Sequence, residues 1–283
     1  MAIDTLSVIG SGTMGRGIAQ SAALAGQRVT LYDVGQEIVD KGLAAIRASI
    51  DEGARRGKTE STVAERAKAA IAPTTDLAAA AAVDLVIEAV PEDVTLKRTV
   101  FAQLDAAAPP HTLLASNTSS LSISAIAAAT GRPDRVLGLH YFNPAHLMPL
   151  VEIIRGDRTS DETVAIAHEF VLRLGKRPVL CIDSPGFIVN RVARPFYGEA
   201  FRLLGEQAAD HETIDRLIRS LGFRMGPFEL LDLIGLDVNL AVTQSVYNAT
   251  FQDPKYRPHP LQHRMVESGR LGRKSGWGFY RYE

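Results

Sequence analysis

Gly10, Gly12 and Gly15 stand in the spacing GxGxxG between a short apolar run, Leu6 to Ile9, and a stretch with helical periodicity. That context suits a pyrophosphate. Gly10 permits a sharp turn, Gly12 removes a Cβ where phosphates approach, and Gly15 lets helix and strand pack closely. Thr13 and Met14 complete the cofactor-binding turn, and the helix N-terminus adds N–H donors and a positive dipole end. Asp33 closes the next strand-like run, at the spacing of an acid that accepts both ribose hydroxyls and repels a 2′-phosphate. NAD is therefore favoured over NADP.

A dinucleotide turn does not name a reaction, so the proton that accompanies a hydride must be traced to other groups. His140 lies in the run Val136 to Phe142 and Glu152 in the run Val151 to Ile154. If these two pair antiparallel about the connection 143–150, residues 140 and 152 fall opposite one another and share a face. A carboxylate on one imidazole nitrogen then fixes the tautomer and leaves the other nitrogen to take a hydroxyl proton. By spacing alone, the favoured reading of any one histidine among 7 is a buried ring satisfied by chance, with Glu152 solvated at a strand end.

The elements that must hold these groups follow from periodicity. Strand-like runs at Leu6 to Ile9, Arg28 to Tyr32, Leu85 to Ala89, Thr112 to Ala115, Val136 to Phe142, Val151 to Ile154 and Pro178 to Ile182 alternate with helical stretches. The pattern predicts an α/β fold, a Rossmann-type doubly wound and mainly parallel sheet. Val39, Leu43, Ile46 and Ile50 fall on one helical face, and a break at Gly53 to Gly57 precedes a second helix with Val63 and Ala67. A helical hairpin over about 35–72 is expected to project from the sheet. After Ser184 strand signals almost vanish. Pro185 and Pro227 suit first helical positions and Asp210 and Asp237 suit N-caps. The expected organisation is a dinucleotide-binding domain over 1–184 and an all-helical C-terminal domain over 185–283.

Composition narrows the class. The 283 residues carry 31 basic and 32 acidic side chains, a formal charge of -1, which disfavours a nucleic-acid or anionic-membrane partner. One cysteine, Cys181, excludes an internal disulfide and a thiolate zinc cluster, and no metal site is expected. The uncharged stretch 109–131 is too rich in Ser and Thr, with Pro109 and Pro110, to span a membrane. The first strand begins at Leu6, which leaves no room for a signal peptide. A soluble cytoplasmic protein is expected.

Gly138-Leu-His-Tyr-Phe-Asn-Pro144 followed by Leu150-Val-Glu-Ile-Ile154 resembles the signature of the 3-hydroxyacyl-CoA dehydrogenase family. Ser116-Asn-Thr-Ser-Ser-Leu121, Asp183-Ser-Pro-Gly-Phe-Ile-Val-Asn-Arg191 and Met225-Gly-Pro-Phe-Glu-Leu-Leu-Asp232 resemble it too, in family order and over nearly the whole chain. The likeness is strongest to the short, single-function bacterial members that act on 3-hydroxybutyryl-CoA. It implies an NAD-dependent oxidoreductase of fatty acid metabolism that interconverts an (S)-3-hydroxyacyl-CoA and the 3-ketoacyl-CoA. It also implies a catalytic set of His140, Glu152, Ser119 and Asn190, with Ser119 and Asn190 bonding the substrate's reacting oxygen. Glu92, Lys97, Asn143 and Lys274 join the glycines and Asp33 at the cofactor. Ser49 and Arg56 on the helical hairpin meet CoA, beside the basic Arg55 and Lys58. The helical domain mediates homodimerisation, with Phe196, Phe228, Leu230, Leu231 and Leu233 as candidate interface residues.

One departure bears on substrate. Where many family members read Pro-Val-Met-Lys, this chain has His146-Leu-Met-Pro149. A dehydrogenase of a 3-hydroxy compound without CoA is therefore an alternative, and a non-catalytic NAD-binding protein is another.

Overall fold

The uncharged run near the start of the chain is strand β1 (Thr5–Ile9), of which only Thr5 is partly exposed. The computed structural model describes residues 2–283. The chain divides into two compact units, one ending at Ser184 and the other running from Pro185 to Glu283.

In the first unit β1 is followed by α1 (Thr13–Leu24), β2 (Arg28–Tyr32), α2 (Gln36–Arg55), α3 (Ser61–Ala69), β3 (Ile71–Thr74) and α4 (Leu77–Ala81). Then come β4 (Leu85–Glu88), α5 (Val94–Ala107), β5 (Leu113–Ser116), α6 (Ile123–Ala127), β6 (Val136–Tyr141), β7 (Leu150–Arg155), α7 (Asp161–Arg173) and β8 (Arg177–Ile182). The sheet order is β3-β2-β1-β4-β5-β6-β7-β8. Every neighbouring pair is parallel except β6 and β7, which are antiparallel. The order reverses at β1, so the carboxyl ends of β1 and β4 flank the switch point where doubly wound sheets bind ligands.

Two expectations about this unit change. Ile71–Thr74 forms an eighth strand that pairs with β2; Pro73 hides it in the sequence, and an edge position tolerates that proline. The α2–α3 hairpin does not stand clear of the sheet either. Val39, Leu43, Ile46, Ile50, Ala64 and Ala67 enter the main core with Ile18, Ala19 and Ala22 of α1. Gly42 makes the approach possible, because a Cβ there would sit 2.7 Å from the Ser11 Cβ.

The second unit is helical: α8 (Val189–Gly205), α9 (His211–Ser220), α10 (Pro227–Ile234), α11 (Leu236–Ala249) and α12 (Pro260–Glu267). Pro227 opens α10 and Asp210 caps α9 through the Thr213 N–H (2.7 Å). Pro185 does not open α8. Gly186 (φ 73°) and Phe187 (φ 50°) take left-handed conformations, which delay the helix until Val189. Asp237 lies inside the first turn of α11, where its charge favours the dipole, rather than at the cap. Tyr197, Phe201, Ile214, Phe228, Leu231, Leu236 and Met265 form the unit's core. Among the described residues no helix is long and apolar enough to cross a membrane, and no cluster of His, Cys, Asp or Glu could hold a metal ion.

Candidate active site

The turn after β1 has the features a dinucleotide requires. Gly10 adopts φ 104°, and a Cβ there would press on the Ala89 carbonyl at 2.7 Å; a Cβ on Gly15 would collide with the Gly10 carbonyl oxygen. Beside Gly12 nothing lies within 4 Å, so the one position that must admit a phosphate opens onto free space. No side chain caps the N-terminus of α1, which leaves its first-turn N–H groups to an anion. At the end of β2 the Asp33 carboxylate is held by the Ser11 N–H and hydroxyl (both 2.8 Å) and the Val34 N–H (2.8 Å). Glycine cradle, bare helix end and oriented carboxylate fit NAD.

The antiparallel register of β6 and β7 sets His140 opposite Glu152. Their side chains meet with Nδ1 2.7 Å from Oε2, both residues being buried. A proton on Nδ1 shared with this carboxylate makes Nε2 the atom that can exchange one with a ligand. Phe142 lies against the imidazole, ring centroids 4.4 Å apart.

Ser119 sits in the loop after β5, and that loop is tied down at both ends. Asn117 Oδ1 accepts the Tyr141 N–H (2.9 Å), fixing the loop to the residue after His140. Glu92 accepts from the Thr118 hydroxyl (2.5 Å), the Ser119 N–H (2.9 Å) and the Ser119 hydroxyl (3.3 Å). Glu92 is steadied in turn by Lys97, Nζ to Oε2 3.3 Å. Lys97 faces inward: it is 1% exposed and bonds Glu88 Oε1 at 2.6 Å. Glu88 also accepts from the Val90 N–H (2.7 Å) and the Ser116 hydroxyl (2.6 Å). Sequence reasoning passed over Glu88. Its signal was an acid closing the apolar strand Leu-Val-Ile-Glu88, because a carboxylate buried there must find a cation.

The connection between β6 and β7 carries Asn143, whose bond to Pro144 is cis, and the divergent segment 146–149. A cation does serve this segment, from another element. Lys176, in the turn between α7 and β8, donates to the Ala145 carbonyl (2.7 Å) and the Met148 carbonyl (2.8 Å), and the Arg177 N–H donates to Pro149 (2.7 Å). Burial holds the Lys176 ammonium below its ordinary lysine range. Burial, and then the Lys176 charge, likewise lower the pKa of His146. The same connection abuts the cofactor helix, since a Cβ on Gly17 would lie 3.0 Å from the Ala145 Cβ. Turn, His140–Glu152 pair and Ser119 loop are thus braced in one unit.

The remaining predicted residues are carried by other elements. Ser49 and Arg56 are seven apart on α2 and its C-cap, and both Arg55 and Arg56 pair with Glu52, which neutralises part of the basic cluster. Asn190 is the second residue of α8. Lys274 pairs with Asp237 at 2.6 Å within the C-terminal unit. Of the candidate interface residues, Phe228 and Leu231 are core, Phe196 and Leu230 pack on it, and Leu233 is exposed.

Residues 5–184 match the family described as 3-hydroxyacyl-CoA dehydrogenase, NAD binding domain, and residues 186–282 match its C-terminal domain. The chain belongs to the 3-hydroxyacyl-CoA dehydrogenase family. It is 51% identical over 279 residues to the 3-hydroxyadipyl-CoA dehydrogenase of Escherichia coli, covering 98% of this chain and 59% of that protein's length. It is 45% identical to a probable 3-hydroxybutyryl-CoA dehydrogenase of Deinococcus radiodurans, over 97% of this chain and 99% of the relative. The crystal structure of (S)-3-hydroxybutyryl-CoA dehydrogenase PaaH1 from Ralstonia eutropha superposes with a TM-score of 0.95 at 43% identity, each chain being covered fully.

Proposed function

We propose that this family member interconverts an (S)-3-hydroxyacyl-CoA and the corresponding 3-ketoacyl-CoA with NAD, using His140 as general acid and base. The observation that carries the reading is the buried 2.7 Å contact between His140 Nδ1 and Glu152, braced in the same unit as the dinucleotide turn. NAD, when bound, supplies the hydride acceptor. In the oxidative direction His140 Nε2 takes the 3-hydroxyl proton while Glu152 orients the ring and offsets its positive charge. Ser119, held by Glu92, and Asn190 bond the reacting oxygen and so position its carbon. Asp33 holds the adenosine ribose, Glu92 and Asn143 meet the cofactor, and Lys97 acts there through Glu92. Lys274 adds a second cation, while Ser49 and Arg56 meet the CoA nucleotide.

NADH oxidation measured with acetoacetyl-CoA beside free acetoacetate tests this. Turnover of the thioester and little of the free acid is expected. Turnover of the free acid alone would replace the reading with a non-CoA dehydrogenase, and tight NADH binding without turnover of any 3-ketoacyl thioester would leave a non-catalytic binder.

The helical unit is proposed to form a homodimer. Leu217, Leu221, Phe223 and Leu233 expose apolar side chains there, and covering them would remove that surface from water. Sedimentation velocity should return twice the 30.6 kDa chain mass. A cytoplasmic location suits the lone thiol of Cys181, which burial, then Glu152 and Asp183, push up to about 12.

A further inference from the structure

Helix α8 carries a guanidinium that the proton-transfer scheme does not use. Arg194 is 5% exposed and lies over the Tyr197 ring, 5.1 Å from its centroid. Its Nη1 donates to the Asn239 carbonyl (3.0 Å) and the Thr243 hydroxyl (2.9 Å). Both bonds leave from that one nitrogen. Nε has no hydrogen-bond partner, and the nearby Asn239 Nδ2 has none either. No carboxylate pairs with Arg194 among the described residues, and burial pushes its pKa down to about 10.

A guanidinium is a planar fork of five donors, and its Nε–Nη2 edge offers two parallel N–H bonds to a carboxylate. Burying such a group without a counter-charge is unfavourable unless something brings one. The surroundings are cationic: Arg194 lines a small cavity of about 10 Å³ whose other charged walls are Lys255 and Arg257, with no acid among them. The space takes about one water-sized atom as it stands. An anion is the ligand this lining favours.

Position on the helix indicates which anion. Arg194 is four residues beyond Asn190, about 6 Å further along the axis and on the same face. With Asn190 bonding the oxygen on the third carbon of an acyl thioester, a chain three carbons longer brings its far end to the next helical turn. We propose that Arg194 binds a carboxylate at the far end of the acyl chain, so that the preferred substrates are 3-hydroxyacyl-CoA thioesters of dicarboxylic acids of about six carbons. This rests on the 3-hydroxyacyl-CoA activity proposed above. The E. coli relative's printed name is that of such a substrate.

The test compares 3-hydroxyadipyl-CoA with 3-hydroxyhexanoyl-CoA, which has a methyl group in place of the carboxylate. NADH formation is followed with wild type, Arg194→Met and Arg194→Lys. Wild-type kcat/KM should favour the carboxylated substrate by about 100-fold, since a donor fork left unpaired in a buried site discriminates strongly. Arg194→Met should collapse that ratio towards one, and Arg194→Lys should restore part of it. A wild-type ratio near one overturns the assignment even if the variants do not fold. So does an Arg194→Met enzyme in which both substrates lose equally, which makes the guanidinium architectural. Failure of wild type on both thioesters would instead remove the underlying 3-hydroxyacyl-CoA reading.

Discussion

The two units bury their acids for different purposes. In the N-terminal unit Glu88 and Glu152 are fully buried, and each faces a side chain that can carry a proton, Lys97 at 2.6 Å and His140 at 2.7 Å. In the C-terminal unit Asp215 and Asp232 are as deeply buried but are held chiefly by main chain. Asp215 accepts the N–H groups of Phe228 and Glu229 (both 2.9 Å) and the Tyr280 hydroxyl (2.8 Å). Asp232 accepts the N–H groups of Phe279 and Tyr280 (both 2.9 Å) and the Tyr282 hydroxyl (3.0 Å), pinning the end of the chain. Burial alone therefore does not mark chemistry. The partner sets the difference: Lys97 and His140 give Glu88 and Glu152 a basic side chain to pair with, whereas the N–H groups and tyrosine hydroxyls around Asp215 and Asp232 make those carboxylates fastenings of the chain.

Substitutions can break this contrast. The largest effect is expected at His140→Gln, with turnover falling roughly 10²- to 10⁴-fold and NADH affinity, read by fluorescence titration, nearly unchanged. A variant within a few-fold of wild type removes His140 from the mechanism and with it the distinction drawn for Glu152. Next comes Asp232→Ala, which strips the acceptor from two N–H groups and a tyrosine. Urea unfolding should show a loss of about 3 kcal/mol, whereas kcat per folded molecule changes little. A large kcat effect with unaltered stability would place Asp232 on the catalytic side.

Lys176→Met sharpens the comparison within the N-terminal unit, because that ammonium holds only carbonyls yet serves the segment after His140. A loss of roughly tenfold in kcat/KM is expected from a looser catalytic hairpin, with a smaller change in the thermal midpoint. Loss of stability with intact kcat/KM would class Lys176 with Asp232. The smallest effect belongs to Asp33→Ala, where the preference for NAD over NADP should relax by several-fold. An unchanged ratio rejects the ribose contact.

Much of this was legible along the chain because it depends on neighbours in sequence. The glycine turn needs only its spacing and flanking elements. The opposition of residues 140 and 152 follows from antiparallel pairing about residue 146, for which strand assignment suffices. Asp210 and Pro227 announced their helices because capping is local. Pro185 failed at the same task, since left-handed turns at Gly186 and Phe187 intervene and a phenylalanine gives no warning of that conformation.

The sequence by itself determined the dinucleotide turn, the doubly wound sheet with its helical partner, and which side chains could move a proton. Tertiary structure alone decided what each charge would meet. Nothing along the chain pairs Lys97 with Glu88 until α5 folds over β4 and encloses both. Lys176 finds carbonyls 28 and 31 residues away, and carbonyls leave no trace in a string of side chains. Arg194 is one arginine among many until α11 packs on it and leaves one edge of its fork unpaired. The reason is common to all three: a charge's partner and solvation are set by which distant segments close around it, and packing, not sequence spacing, brings those segments together.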